Sequence, residues 1–482
     1  MKQRLTAAAL LTALLSSCAM KNPDVISYQD PEPLAGQRSG KAAEFTLTAQ
    51  KSRLDLAGQS VEALTYNGTF PGPLLTLKAG EDVRITLKNN LSEPTNLHLH
   101  GLPLSPEVDD PFVVVPPGGS HTYAFQVPEE VHGTFWYHTH THGASAAQLF
   151  SGLAGPLLVE AAKPNNPIEH METHTVVFKD LPGAQHADDG VLMNGRENTL
   201  LVNGLVSPTL KTENSWVQLR LINASNARYL RLKLDDGLLQ VVARDGIDLP
   251  GMERAQELLL TPGERADVLV SLQDHQNLKL QNLPYDRGVH SMGSHSGHTE
   301  SKTAVVLTLQ GPQKPGASVP RVETAPPPFL QLQGNEKVRK VILQETMQPV
   351  KFFINGRSFD MNRVDFHVSE GSTEIWELQN TTEMDHPFHL HTFPMQLIRI
   401  GGKEVPPVWK DTVNIPKNST VTVAVHFKGF TGKTVFHCHI AEHEEAGMMG
   451  LLQVHPSGTA LPASLEPIEP TVGPGEDAQH GH

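Results

Sequence analysis

The residues best suited to chemistry lie between Phe436 and Met449, in the run F-H-C-H-I-A-E-H-E-E-A-G-M-M. Val435, Phe436 and Ile440 mark its first part as strand-forming, and side chains on a strand alternate between two faces. His437 and His439 therefore share one face, and Cys438 takes the other. His443 follows four residues past His439, and Met448 five past that. A thiolate and a thioether are soft donors that suit copper, as imidazole also does, and with one more histidine the three make the donor set of a mononuclear blue-copper centre. Cys438 would serve one metal site while its two neighbours serve another.

Three more H-x-H pairs answer this one: His98 with His100, His138 with His140, and His389 with His391. On a strand each pair puts both imidazoles on one face, about 6.5–7 Å apart. The eight histidines divide equally between the first and last parts of the chain, which fits a three-copper cluster shared by two domains. His386, three residues before His389, supplies the missing donor for the Cys438 site.

Elements able to position these residues recur three times. Asn67-Gly68, Asn203-Gly204 and Asn355-Gly356 each open a unit. Some 12 to 18 residues later come E-D-V-R-I-T-L-K-N-N, S-W-V-Q-L-R-L-I-N and T-E-I-W-E-L-Q-N, three echoes of one unit. Short alternating runs such as E-F-T-L-T-A and H-T-Y-A-F-Q-V, with 39 Gly and 37 Pro in 482 residues, predict an all-β chain of three Greek-key sandwiches rather than a helical one. Pro-rich joints at Lys163–Pro167 and Gly311–Pro328 set domains at 42–163, 170–310 and 335–456, with a linker over 311–334. Aligning G-T-F-W-Y-H-T-H with G-K-T-V-F-H-C-H places Thr139 where Cys438 stands. The same offsets place Thr95, Ala144 and Leu149 where His386, His443 and Met448 stand. Domain 1 thus keeps the paired histidines and lacks the mononuclear site. Domain 2, with N-A-S-N-A-R-Y-L-R-L and no pair, is expected to be a spacer.

With these motifs the chain resembles the multicopper oxidases, and among them the three-domain bacterial laccases and periplasmic copper oxidases, from about Phe45 to Val454. G-L-P-L-S-P-E-V-D-D-P-F and L-I-N-A-S-N-A-R-Y strengthen the likeness. The resemblance implies cupredoxin-like domains, four copper ions and dioxygen as electron acceptor. It assigns His386, Cys438, His443 and Met448 to a type 1 copper, with Met449 as the rival axial donor. His98 and His389 go to a type 2 copper. His100, His138, His140, His391, His437 and His439 go to a type 3 pair. Asp109, nine residues past His100, stands where the resemblance suggests an acid near the cluster. Glu444, directly after His443, is a second proton-handling candidate, and either could equally be a surface carboxylate. Asp385, beside a His386 expected near the surface, could accept a proton, hold a cation or simply be a solvated loop residue. His290, Met292, His295 and His298 form a Gly/Ser-rich loop that either binds accessory copper or is a plain surface loop.

The reading is an oxidase taking electrons from a phenol, an aromatic amine, Cu(I) or Mn(II). The alternatives are a cuprous oxidase in copper tolerance, a copper-sequestering protein without turnover, or a structural relative of the kind that has lost its metal sites and serves cell division. A net charge of -14 without a basic stripe excludes a nucleic-acid partner. At the N-terminus, Lys2 and Arg4 precede the apolar run Leu5–Leu15, which is too short to span a bilayer. It ends in L-L-S-S-C, similar to a bacterial lipobox, so Cys18 is expected to carry lipid and to hold a monomeric enzyme at a membrane, on its periplasmic or extracellular face; a plain cleaved signal is the alternative. If Cys18 is lipidated and Cys438 binds copper, the chain's two cysteines leave no disulfide. Residues 19–41 read as a polar tether, and residues after Pro456 as a disordered, Pro- and Glu-rich tail.

Overall fold

The computed structural model describes residues 25–162, 168, 171–182, 199–273, 275–288, 302–312, 322, 326–347 and 350–469. Its strands form three two-sheet sandwiches; the second and third share one strand order, and the first keeps four strands of each sheet in that order. In the last sandwich one sheet runs β22 (Val350–Ile354), β21 (Lys337–Met347), β24 (Thr373–Asn380), β29 (Ser419–His426), β26 (Met395–Ile400) and β27 (Lys403–Lys410). The other runs β23 (Phe366–Ser369), β31 (Met449–His455), β30 (Gly432–Cys438), β25 (His386–Leu390) and β28 (Thr412–Ile415). The middle sandwich has equivalent six- and five-stranded sheets, and the first has sheets of five and four.

The repeats share local chemistry as well as order. Each Asn-Gly pair has positive φ at both residues: 55 and 82° at Asn67-Gly68, 50 and 82° at Asn203-Gly204, 53 and 76° at Asn355-Gly356. That is the turn whose twist suits a two-residue hairpin, and these are the residues that tolerate it. Each asparagine side chain also accepts a backbone N–H, from Thr48, Val177 and Ile342 respectively. A second set, Asn89, Asn223 and Asn380, ends the equivalent strands. In each, Oδ1 accepts the N–H two residues on, and Nδ2 donates to a carbonyl four or five residues on.

The strands that bring in the paired histidines, like several others, depart from simple in-out alternation because both their faces are covered. β8 (Gly133–His138) and β30 are buried over their last five residues. Phe135 and Tyr137 enter the core of sandwich 1, and Phe436 and Cys438 enter that of sandwich 3. The intervening Trp136, His138 and His437 face the seam between domains. A small apolar cluster there draws Trp136, Ala146, Leu149 and Ala154 from the first domain, Val177, Ile222 and Ala224 from the second, and Ala441 from the third.

Two segments expected to lie outside the folded domains, a tether and a disordered tail, are in part built into the fold. In the proposed tether, residues 25–36 form a strap across domains 2 and 1. Tyr28 is buried in the domain 2 core, its amide bonds to Thr209 and its hydroxyl donates to the Thr175 carbonyl at 2.7 Å. Leu34 then exchanges backbone bonds with the Leu74 region. The polar composition concealed a single buried tyrosine and a backbone that finds strand partners. In the proposed disordered tail, residues 457–469 lie along domain 3. Leu465 and Ile468 donate their amides to Asp365 and Asn355, and Arg357 donates to the Glu466 carbonyl. Gly356 permits this approach, since a Cβ there would meet the Ile468 carbonyl oxygen at 2.1 Å. Residues 1–24, with Cys18, and the loop carrying His290, Met292, His295 and His298 lie outside the described residues.

Candidate metal centre

The four H-x-H pairs converge at the seam of domains 1 and 3. His98 and His100 sit on β6 (His98–His100), which pairs antiparallel with β8 so that His98 opposes His138. In domain 3, β25 pairs with β30 and His389 opposes His437 in the same way. All eight imidazoles are at most 3% exposed. Their nitrogens gather as His100 with His138 and His439, as His140 with His391 and His437, and as His98 and His389 with His100, each group within 4.8 Å.

Hydrogen bonds on the outer ring nitrogens fix which nitrogen faces inward. Nδ1 of His138 bonds the Thr139 carbonyl at 2.7 Å, Nδ1 of His437 the Cys438 carbonyl at 3.0 Å, and Nδ1 of His389 the Asp411 carbonyl at 2.9 Å. Nδ1 of His98 meets Asp109 Oδ2 at 2.8 Å. Each ring then presents Nε2 as a lone pair, the form and orientation of a metal ligand. Among the described residues, Nε2 of His98, His138 and His389 and Nδ1 of His391 and His439 have no hydrogen-bond partner although buried. Nitrogens also face one another: Nε2 of His437 lies 3.2 Å from that of His140 and 3.1 Å from that of His391. Burial, reinforced by neighbouring imidazoles, holds His100, His138, His389, His391 and His437 well below the usual histidine range, and burial takes His439 down to about 3. Neutral buried rings with lone pairs aimed at one another and left unsatisfied are costly unless a cation lies between them. The residues present fit bound metal.

The second site lies in the domain 3 core. Nδ1 of His386 and of His443 are 3.4 and 3.8 Å from Cys438 Sγ and 3.2 Å from each other. Met448 belongs to the same buried cluster. Its amide bonds the His443 carbonyl and its carbonyl accepts the Cys438 amide, which folds the loop back onto the cysteine. Met449 instead begins β31, opposite His437. Burial pushes the Cys438 thiol up, so a thiolate there needs a cation beside it. His386, expected near the surface, is fully buried and bonds Thr382 Oγ1 at 2.8 Å. His443 is 6% exposed and stacks on Phe352 at 4.1 Å.

The equivalent place in domain 1 is filled by side chains. Thr95 and Thr139 both donate to Oε1 of the buried Gln148, at 2.9 and 2.8 Å. Gln148 has no counterpart among the donors in domain 3 and was not foreseen.

The three acids have distinct settings. Asp109 is 4% exposed and orients His98 while its other oxygen accepts the Leu99 amide. Glu444 accepts from Ser145 and lies 3.7 Å from His140 Nε2 and 3.6 Å from His437 Nδ1; burial raises it to about 8. Asp385 is no solvated loop residue. It is 4% exposed and accepts from the Tyr285 hydroxyl, the Asn414 amide and the Lys417 backbone.

Sequence reasoning missed what domain 2 contributes. It is more than a spacer: Arg265 pairs with Asp411 beside the cluster, and Asn226 donates to Glu442 and to the Ala146 carbonyl where the first and third domains meet. Gly263 lies so close to His439 that a Cβ would sit 2.8 Å from its ring. Gly263 and Arg265 stand two residues apart and Asn226 lies in N-A-S-N-A-R-Y-L-R-L, but their partners Asp411, His439 and Glu442 lie far off in the chain, so no local spacing announced these contacts.

Comparison with known proteins agrees with this geometry. Three family models, each described as multicopper oxidase, match residues 48–164, 134–282 and 322–458. The chain is 33% identical over 430 residues to multicopper oxidase mco of Staphylococcus haemolyticus, covering 85% of this chain and 88% of that protein. It is 27% identical over 452 residues to the cell division protein FtsP of Escherichia coli, covering 88% and 92%. A solved multicopper oxidase from Campylobacter jejuni, described as a metallo-oxidase, superimposes with a TM-score of 0.80 at 28% identity, covering 90% of this chain and 96% of that one. The chain belongs to the multicopper oxidase family.

Proposed function

We propose that the chain is a laccase-like oxidase that couples one-electron oxidation of phenols and aromatic amines to four-electron reduction of dioxygen to water. In this reading His386, Cys438, His443 and Met448 hold one copper. His98 and His389 hold a second, and His100, His138, His140, His391, His437 and His439 hold a pair. Bound there, copper supplies the one-electron redox chemistry and the site of dioxygen reduction. The observation that carries the reading is that both donor sets are complete and meet at one tripeptide. Cys438 faces the core site while His437 and His439 face the cluster, so a covalent backbone path of one residue joins the two. A structural role like that of relatives without metal sites is disfavoured by the same completeness.

The chain's own groups carry the rest. Asp109 holds His98 in its ligand tautomer. Glu444, between His140 and His437, can hold a proton where dioxygen reduction consumes protons. Asp385 is engaged by three donors, which disfavours it as a cation site and favours an organic reductant over a metal ion.

An oxygen electrode tests the proposal. Copper-loaded protein should consume dioxygen with a phenol, at a rate comparable to or above that with Cu(I) or Mn(II). Far more efficient turnover of Cu(I) would make it a cuprous oxidase; tight copper uptake without oxygen consumption would make it a sequestering protein. We also propose export and lipidation at Cys18. Cys18→Ala should then yield a soluble, active enzyme, and mass spectrometry showing cleavage beyond Cys18 without lipid would refute this.

A further inference from the structure

We infer that Arg265, from the domain that supplies no metal ligand, is a positioning residue for the histidine cluster: by clamping Asp411 it decides which nitrogen of His100 faces the metals. The inference rests on the oxidase reading above.

His100 is turned the opposite way from His98, His138, His389 and His437. Its Nε2 points outward, 3.2 Å from Asp411 Oδ1 and 3.4 Å from Thr412 Oγ1. Its Nδ1 points inward, 3.3 Å from His439 Nε2. For Nδ1 to offer a lone pair, the proton must sit on Nε2, and a buried N–H needs an acceptor. The Thr412 hydroxyl donates to Asp411 Oδ1 at 2.8 Å, so the carboxylate is the acceptor that fixes the tautomer.

That carboxylate is held by a fork. Arg265 Nη1 donates to Oδ1 at 2.8 Å and Nη2 to Oδ2 at 2.6 Å. Two parallel bonds set the plane of a carboxylate as well as its place. The guanidinium is itself fixed, with Nε on the Thr134 carbonyl of domain 1 and Nη1 also on the Gly263 carbonyl. Arg265 therefore touches all three domains while 1% exposed. Asp411 acts twice, since its backbone carbonyl holds His389. Gly101, the residue after His100, shows how tightly the pair is packed against that strand. A Cβ there would lie 2.2 Å from Arg265 Nη2 and 2.4 Å from Asp411 Oδ2.

A buried ion pair could instead be only an interdomain stitch, and its loss would then lower stability without touching the metals. Asp411→Asn separates the two roles. Its amide keeps the shape and has one acceptor oxygen, which Arg265 would claim, turning the NH2 toward His100 and favouring the wrong tautomer. Arg265→Lys keeps the charge and loses the fork. The readouts are copper per chain after dialysis against graded chelator, the electron paramagnetic resonance signal of the type 2 copper, and the blue absorption of the Cys438 site as a control for folding. In Asp411→Asn we expect the blue band to persist while cluster copper binds at least about ten-fold more weakly, the usual scale for losing a ligand's hydrogen-bond partner. Arg265→Lys should shift the type 2 signal and weaken cluster copper less. Unchanged cluster affinity and signal in both variants, or loss of the blue band in parallel with cluster copper, would overturn the inference. A native chain that binds no cluster copper would instead sink the oxidase reading itself.

Discussion

At the scale of single residues, the repeat shows how a metal site is deleted while its scaffold survives. Thr139 occupies the position of Cys438, and Thr95 that of His386, just outside strands that pair in the same register as their counterparts in domain 3. Two hydroxyls donating to Gln148 satisfy a buried polar pocket with neutral groups. The Cys438 site does so less well, since a thiol is only a weak donor and a weak acceptor for the two imidazoles beside it. One substitution therefore has a sharp expected outcome. Cys438→Ser should abolish the blue colour and the oxidase activity, and leave up to three of four proposed coppers bound. A variant that stays blue would show that the thiolate is not the ligand. The donors were legible in the sequence because alternation on a strand is local: H-x-H and H-C-H carry their own geometry. Asp411 and Arg265 were not, because they stand 146 residues apart, Asp411 lies 311 residues from His100, and a lone Asp or Arg carries no spacing.

At the scale of elements, the N-terminal strap illustrates what composition conceals. Its contact with domain 2 is charged as well as apolar. Asp30 accepts from His174 Nδ1 at 2.8 Å and Glu172 from Nε2 at 2.9 Å. Burial by itself would lower His174, but its bonds to Asp30 and Glu172 outweigh burial and raise it above the ordinary value of 6.5. For Glu172, burial would raise the carboxyl, but bonds from Thr212, His174 and Asn214 prevail and hold it below its ordinary 4.5. A raised histidine stabilises the docked strap fully below its unfolded value, and that contribution is lost as pH rises through the folded one. A lowered carboxyl stabilises above its unfolded value and is lost as pH falls through the folded one. Glu172 and its partners all lie in domain 2, so docking follows His174 and its bond to Asp30, and the strap should loosen as pH rises above about 6.5. Once the base-catalysed rise of intrinsic exchange with pH is divided out, hydrogen exchange at the Tyr28 and Thr209 amides should still quicken there by roughly five-fold, the size of a partly exposed ion pair worth up to about 1 kcal/mol. In His174→Ala the rise should vanish, and a rise that persists would place the titrating group elsewhere. The hairpin elements were easier to foresee, since each Asn-Gly announces its turn through the one backbone conformation it tolerates best.

At the scale of the molecule, the cluster is the fastening between the outer domains. Four of its imidazoles come from domain 1 and four from domain 3, and each proposed type 3 site draws on both. His100 and His138 meet His439, and His391 and His437 meet His140. Across this seam, ring nitrogens of His140 and His437 face each other at 3.2 Å and those of His100 and His439 at 3.3 Å, and five nitrogens of the cluster have no partner among the described residues. That is a penalty carried by the assembled state alone, because separated domains would return these groups to water. Bound copper reverses its sign, since metal linking both sides stabilises only the assembled form. The metal-free protein should accordingly melt lower and in more than one step, with domains 1 and 3 uncoupled. The loaded protein should melt later and more cooperatively, gaining about 4 kcal/mol when free copper exceeds its dissociation constant a thousand-fold. Cys438→Ser, which removes only a site internal to domain 3, should keep most of this coupling. His98→Ala with His389→Ala, taking one ligand from each side, should lose a larger share. Calorimetry of the four samples decides the matter. If metal-free and loaded protein melt alike, the domains are held by the Arg265–Asp411 pair and the shared apolar seam, and the cluster is a passenger on an interface formed without it.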